Sequence, residues 1–184
     1  MQLDPAYDEL LVLRSQDGDA GAMDELVDRW QGRLFRHACR LTASPDSARD
    51  AVQEAWIAIV RGLRKLDDPA RFGPWAYRIL SNKCVDWIRR QSRTRKLDQH
   101  LVEQQRPEDA MVEQKPELDE ARQTLVEALR ALPPAQQGLL ALFYQDGFGV
   151  SEIAEILEVP VGTVKSRLFN ARNALKRALE GEAK

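Results

Sequence analysis

Between Ala20 and Leu41 the apolar residues fall at Met23, Leu26, Val27, Trp30, Leu34, Ala38 and Leu41, the three-and-four spacing of one buried helix face. Ser44, Pro45 and Asp46 then restart a helix: the serine can cap, the proline suits the first helical position, and the aspartate complements the positive end of the dipole. This second helix is expected to run to about Leu66. After the loop DDPARFGP a third long helix is expected from Trp75 to about Arg93. Stepping about 100° per residue from Trp75 gathers Ala76, Leu80, Cys84, Trp87 and Ile88 on an inward arc. The opposite arc holds Arg78, Asn82, Arg89 and Arg93, with Lys83 and Arg90 nearby and Tyr77 near the boundary.

From Thr94 to Pro116 the apolar pattern stops, Gln and Glu accumulate, and Pro107 and Pro116 punctuate the segment, which reads as an acidic linker. Helical periodicity resumes near Glu117, pauses at Pro133 and Pro134, and continues through the turn GFGVS into two more helices. No stretch shows the strict alternation of a strand. The expected fold is therefore all-α, two small helical domains (1–93 and 117–184) joined by a flexible linker (94–116). In SEIAEILEVPVGTVKSRLFNARNALKRAL, Ser151 is placed as the cap of a short helix with Ile153, Ala154 and Leu157 inward. A three-residue turn leads into a helix from about Val161, the helix-turn-helix outline. Glu158 stands where such turns often carry glycine, at a cost of roughly 1 kcal/mol for a left-handed residue with a Cβ.

Charge changes this picture. The net charge is −2, but residues 1–30 hold 2 basic and 8 acidic side chains, residues 61–97 hold 11 and 3, and residues 98–120 hold 2 and 8. One basic block between two acidic ones marks a polyanion surface, the alternative being a merely solvated face. No run of 18 apolar residues occurs, and the acidic first thirty residues are the opposite of a basic signal-peptide start, so no membrane insertion and a cytoplasmic location are expected. Cys39 and Cys84 lie inside helical patterns without a spaced Cys/His set, which favours buried thiols over a disulfide or a metal site. No cofactor and no catalytic constellation are expected, so the chain is not read as an enzyme.

The last helix carries the sharpest chemistry. Val164, Leu168, Ala171 and Leu175 share one arc, leaving Lys165, Ser166, Phe169, Asn170 and Asn173 on the other. Lys165, Ser166 and Asn170 can reach base edges in a major groove, Phe169 can touch a thymine methyl, and Arg167 and Arg172 flank them for phosphates. On the third helix, Arg78, Asn82, Arg89 and Arg93 suit phosphates and unstacked bases. Trp75 has two readings of equal weight, a ring closing the core or a ring meeting a base. Trp87 is read as packing.

The stretch DAVQEAWIAIVRGLRKLDDPARFGPWAYRILSNKCVDWIRRQSR resembles region 2 of bacterial extracytoplasmic-function (ECF) sigma factors, and LPPAQQGLLALFYQDGFGVSEIAEILEVPVGTVKSRLFNARNALKRAL resembles their region 4. The resemblance implies a factor that binds core RNA polymerase and directs it to promoter DNA, region 2 opening the −10 element and region 4 reading the −35 element. By the same resemblance, Asp50, Gln53 and Glu54 match the polymerase-docking motif, and Arg71, Phe72 and Trp75 match a loop that pockets an extruded −10 base. Arg78, Asn82, Arg89, Arg90 and Arg93 match the helix that tracks the opened strand, and Thr163, Lys165, Ser166, Arg167, Phe169, Asn170 and Arg172 make up the −35 set. Asn170 departs from relatives that carry a basic residue there. An anti-sigma factor is the further partner implied. The alternatives are an autonomous helix-turn-helix regulator and a sigma mimic that titrates an anti-sigma factor. A linker of residues 94–116 would extend to roughly 75 Å at about 3.3 Å per residue, enough for sites roughly 50 Å apart.

Overall fold

A computed structural model of the protein describes residues 4–42, 44–97 and 120–181, with side chains described for all of these except 92–97, 120 and 121. The sequence reading assigned no element before Ala20, yet the chain opens with α1 (Pro5–Gln16), which begins where Asp4 accepts a hydrogen bond from Ala6 N at 3.1 Å with Pro5 at the first helical position. Leu11 and Val12 bury completely. Asp8 pairs with Arg29 at 2.6 Å, both nearly buried, and joins α1 to α2 (Ala20–Thr42). Losing either partner would strand a buried charge, which costs several kcal/mol.

α3 (Pro45–Gly62) starts as the sequence suggests, with Ser44 Oγ accepting from Ser47 N. It ends in a 3-10 turn over Leu63–Lys65, whose carbonyls are served by Gln16: Nε2 donates to Leu63 O at 2.9 Å and to Leu66 O at 2.8 Å. A second 3-10 turn, Pro69–Arg71, is capped by Asp68 and leads directly into α4 (Phe72–Leu97). That helix begins three residues before Trp75 and runs past Arg93, because no Gly or Pro interrupts residues 75–97.

α4 packs on α2 and α3 through Ala76, Tyr77, Leu80 and Cys84, all fully buried. Beyond Cys84 its packing thins, with Trp87, Arg90 and Gln91 lining an open groove beside Asp50, Gln53 and Glu54 of α3. Trp87 is half-buried and Ile88, expected inside, is 42% exposed. Tyr77, expected at the boundary, is buried against Trp30, His37 and Phe148. His37 Nε2 lies 3.3 Å from Ser81 Oγ. Burial, with the nearby Arg40 charge, lowers its pKa to about 3, so the ring is neutral. Burial likewise pushes the Cys84 thiol up to about 12, and both cysteines are free.

The second unit is α5 (Glu120–Arg130), α6 (Pro134–Tyr144), α7 (Val150–Leu157) and α8 (Val161–Leu179). Ile153, Ile156, Val164, Leu168 and Ala171 fill its centre, each large aliphatic side chain adding about 1.5–3 kcal/mol. Its core continues into that of the first unit. Phe148 meets Tyr77 edge to face, with ring centroids 5.0 Å apart. A Cβ on Gly73 would sit 2.9 Å from Trp30 and 3.3 Å from Phe148, so only glycine admits this approach. Gly138 allows α6 the same closeness to Leu41.

Candidate nucleic-acid interface

α7 and α8 cross through a turn whose geometry depends on one residue. Glu158 takes φ 53° and ψ 45°, the left-handed conformation that the sequence position implied, and its N–H closes the end of α7. The start of α7 differs from expectation. Gly149, not Ser151, is the capping position, and Glu152 reaches back so that its carboxylate accepts from Gly149 N at 2.7 Å, satisfying a donor that a helix start would leave open.

The two faces of α8 separate as the periodicity implied. Val164, Leu168 and Ala171 are buried and Leu175 is half-buried. Lys165, Ser166, Arg167, Phe169, Asn170 and Arg172 are exposed, Phe169 by 64%, and Thr163 is half-buried near the helix start. Ser166 Oγ donates to Thr163 O at 3.0 Å. The Arg172 guanidinium lies over the rings of Phe143 and Tyr144, 5.3 and 5.6 Å from their centroids, which holds it against the end of α6. A bulky ring held this far into solvent beside a lysine and two amide or hydroxyl groups is a surface that costs burial and offers base-edge contacts.

The α4 surface is partly occupied. Arg78 is exposed, and Arg89 lies 4.0 Å from Asp86. Arg71 forms an ion pair with Glu155 of α7, and Asn82 Nδ2 donates to Glu158 Oε2 at 3.3 Å. Arg90 and Lys83 lie 3.6 and 3.3 Å from Glu54. The side chain of Arg93 falls outside the described residues. Phe72 is 1% exposed and held edge to face with Trp30 at 5.2 Å, so in this arrangement its ring faces the core. Trp75 is half-buried, 6.2 Å from Phe72 and against Gly62, where a Cβ would approach it to 3.0 Å. Its packing favours the core-closing reading while leaving an edge in solvent.

Asp50 and Gln53 are exposed and Glu54 half-buried on α3. Gln53 and Ile57 form a ridge between two grooves, one lined by Val27, Phe35, Val52 and Trp56, the other by Asp50, Glu54, Trp87 and Arg90. Ile57 and Val60 are 46% and 54% exposed. Sequence reasoning found the polar half of this surface and missed the apolar half. The available signal was a helix whose apolar residues spread beyond a single stripe: Ile57 and Val60 lie four and seven positions after Gln53 and share its face.

Residues 26–94 match the family model of sigma-70 region 2, and residues 122–175 match that of sigma-70 region 4. The chain is 30% identical over 181 residues to the ECF RNA polymerase sigma factor SigW of Bacillus subtilis, covering 91% of this chain and 94% of that one. It is 33% identical over 186 residues to the ECF RNA polymerase sigma-E factor of Escherichia coli, covering 94% of each. The chain belongs to the ECF sigma factor family. Its fold is shared with solved structures: the Bartonella quintana sigma factor RpoE, solved with the anti-sigma factor NepR, superposes with a TM-score of 0.69 at 22% identity over 86% of this chain and 96% of that one. CnrH, solved with the cytosolic domain of CnrY, gives 0.65 at 22% identity over 96% and 99%. Within this sigma factor the region 2 match spans α3 and the α4 basic arc, and the region 4 match spans the exposed face of α8. Among the described residues no helix is long and apolar enough to cross a membrane, and no cluster of three or more His, Cys, Asp or Glu side chains is placed to hold a metal.

Proposed function

We propose that the protein binds core RNA polymerase and confers promoter specificity on it, with residues 1–93 acting as region 2, 94–116 as a tether and 117–184 as region 4. The observation that carries this reading is the pairing, in one chain and in family order, of an exposed α8 face built for duplex base edges with a basic α4 arc built for an opened strand. Lys165, Ser166, Phe169 and Asn170 read the −35 element, and Thr163, Arg167 and Arg172 orient the helix on the backbone. Arg71, Arg78, Asn82, Arg89, Arg90 and Arg93 follow the −10 strand, with the exposed edge of Trp75 beside the flipped base. Asp50, Gln53, Glu54 and the apolar ridge at Ile57 dock on the polymerase. The protein works where the polymerase is, in the cytoplasm, and does no covalent chemistry of its own. Unstacking bases costs a few kcal/mol each, so opening draws on the polymerase as well as on α4. The Bartonella quintana sigma factor solved with an anti-sigma factor supports a protein inhibitor as the third partner.

Run-off transcription from fragmented genomic DNA tests this directly. Core polymerase with the protein is expected to start at a discrete set of promoters that core alone does not use. Failure of the chain to bind core polymerase would overturn the reading.

A further inference from the structure

Among the described residues Phe169 and Tyr144 are the most exposed of the large apolar and aromatic side chains, at 64% and 62%. Phe169 belongs to the face of α8 assigned to base edges, whereas Tyr144 is the last residue of α6 and has no part in that face. One side chain joins them. Arg172 lies one turn after Phe169 on the same side of α8. Its guanidinium stands over the Phe143 ring, 5.3 Å from the centroid, and over the Tyr144 ring at 5.6 Å. The two rings meet edge to face with centroids 5.0 Å apart, Phe143 half-buried as the base of the contact and Tyr144 exposed as its outer part.

The kind of hold matters. In the first unit Arg71, Arg89 and Arg90 rest against the carboxylates of Glu155, Asp86 and Glu54, which offset their charge and occupy N–H donors. Among the described residues Arg172 is held by rings and by no carboxylate. A ring attracts a guanidinium without taking its N–H bonds, so both charge and donors stay available to an anion. We propose that Phe143 and Tyr144 form an aromatic shelf that holds Arg172 ready to clamp a DNA backbone phosphate beside the −35 base pairs, which makes Tyr144 a positioning residue of region 4 although it lies outside the recognition helix. The inference rests on the reading of α8 as the −35 surface. A long side chain held in one place loses less rotamer freedom when the phosphate arrives, and the gain appears as affinity. The shelf does not choose the sequence, because a phosphate contact fixes register and orientation and carries no base information.

Tyr144 is the position to change, since most of its ring is in solvent and its removal leaves the core intact. The holoenzyme is titrated, over a series of salt concentrations, with a duplex that carries the −35 element of a promoter found by run-off transcription and stops short of the −10 element. Arg172→Ala is expected to flatten the slope of log affinity against log salt by about 1, the loss of one phosphate contact. Tyr144→Ala should weaken binding about threefold to fivefold, flatten the slope in the same direction, and leave the ranking of variant −35 sequences as it is in the parent. Tyr144→Phe, which keeps the ring, should restore affinity and slope, and Tyr144→Ala should add nothing to Arg172→Ala. An unchanged salt slope in Tyr144→Ala, an equal loss in Tyr144→Phe, or a further loss on top of Arg172→Ala would overturn the shelf. So would parent-like binding by Tyr144→Ala while Arg172→Ala and Lys165→Ala weaken it, a result that leaves the −35 reading of α8 standing. Duplex binding that neither Lys165→Ala nor Arg172→Ala alters would overturn that reading and the shelf with it.

Discussion

α4 and α8 both carry a buried ridge and a polar face, yet they were built under different constraints. Among the described residues α8 packs mainly on α5, α6 and α7 of its own unit, and every residue from Lys165 to Arg167, with Phe169 and Asn170, stands in solvent. α4 is central, touching α2, α3 and α7, and its polar arc is shared between protein partners and any strand it is to hold. The lesson is that a face can be read for its chemistry from spacing alone, whereas its availability depends on contacts made across the chain.

The largest expected effect separates the two faces outright. Leu168→Ala removes a fully packed side chain from beneath the α8 surface, which should cost about 2–5 kcal/mol. Thermal melts should show region 4 destabilised, and duplex −35 binding by the holoenzyme should be lost while α4 of the bound factor keeps its affinity for single strands. Equal loss of both activities would mean that the faces are not independent.

The seam between the halves has a pH signature. His37 lies inside it, its Cε1 3.8 Å from where a Gly138 Cβ would be, and its pKa is lowered from 6.5 to about 3 by burial. The unfolded chain takes up a proton across that window and the folded chain does not. Stability from this group is therefore full above pH 6.5 and falls as the pH drops, by up to about 1.4 kcal/mol per pH unit. Melts on either side of the histidine range should show this loss in the parent chain and a shallower slope in His37→Gln. Parallel slopes would place the acid sensitivity elsewhere.

A smaller effect sharpens the turn. Glu158→Gly relieves a left-handed residue of its Cβ, a gain of up to about 1 kcal/mol, but removes the contact to Asn82. A higher melting temperature is expected, and a lower one would mean that the Asn82 contact outweighs the strain.

These residues also mark what spacing could and could not reveal. Val164, Leu168 and Ala171 were legible because one helix packing on its own unit obeys a single period. Ile88 was misplaced because an angular count gives a residue's direction on α4 and not whether a neighbouring element covers it there. α1 escaped notice since Leu10 and Leu13 point outward while Leu11 and Val12 point in, which blurs the amphipathic stripe. The depth of Tyr77 and the partners of Arg71 and Asn82 were not legible. Their surroundings come from residues forty or more positions away, and such pairings leave no local period in the sequence.

The division of labour between the two faces is tested most directly by assembling Lys165→Ala and Arg89→Ala with core polymerase on one promoter and measuring closed-complex affinity and strand opening side by side. The account predicts that Lys165→Ala changes −35 preference by about 1–3 kcal/mol per contacted base with opening intact, and that Arg89→Ala opens the promoter less while −35 binding is unchanged. Equal loss of closed-complex affinity in both, with no defect in opening, would contradict it.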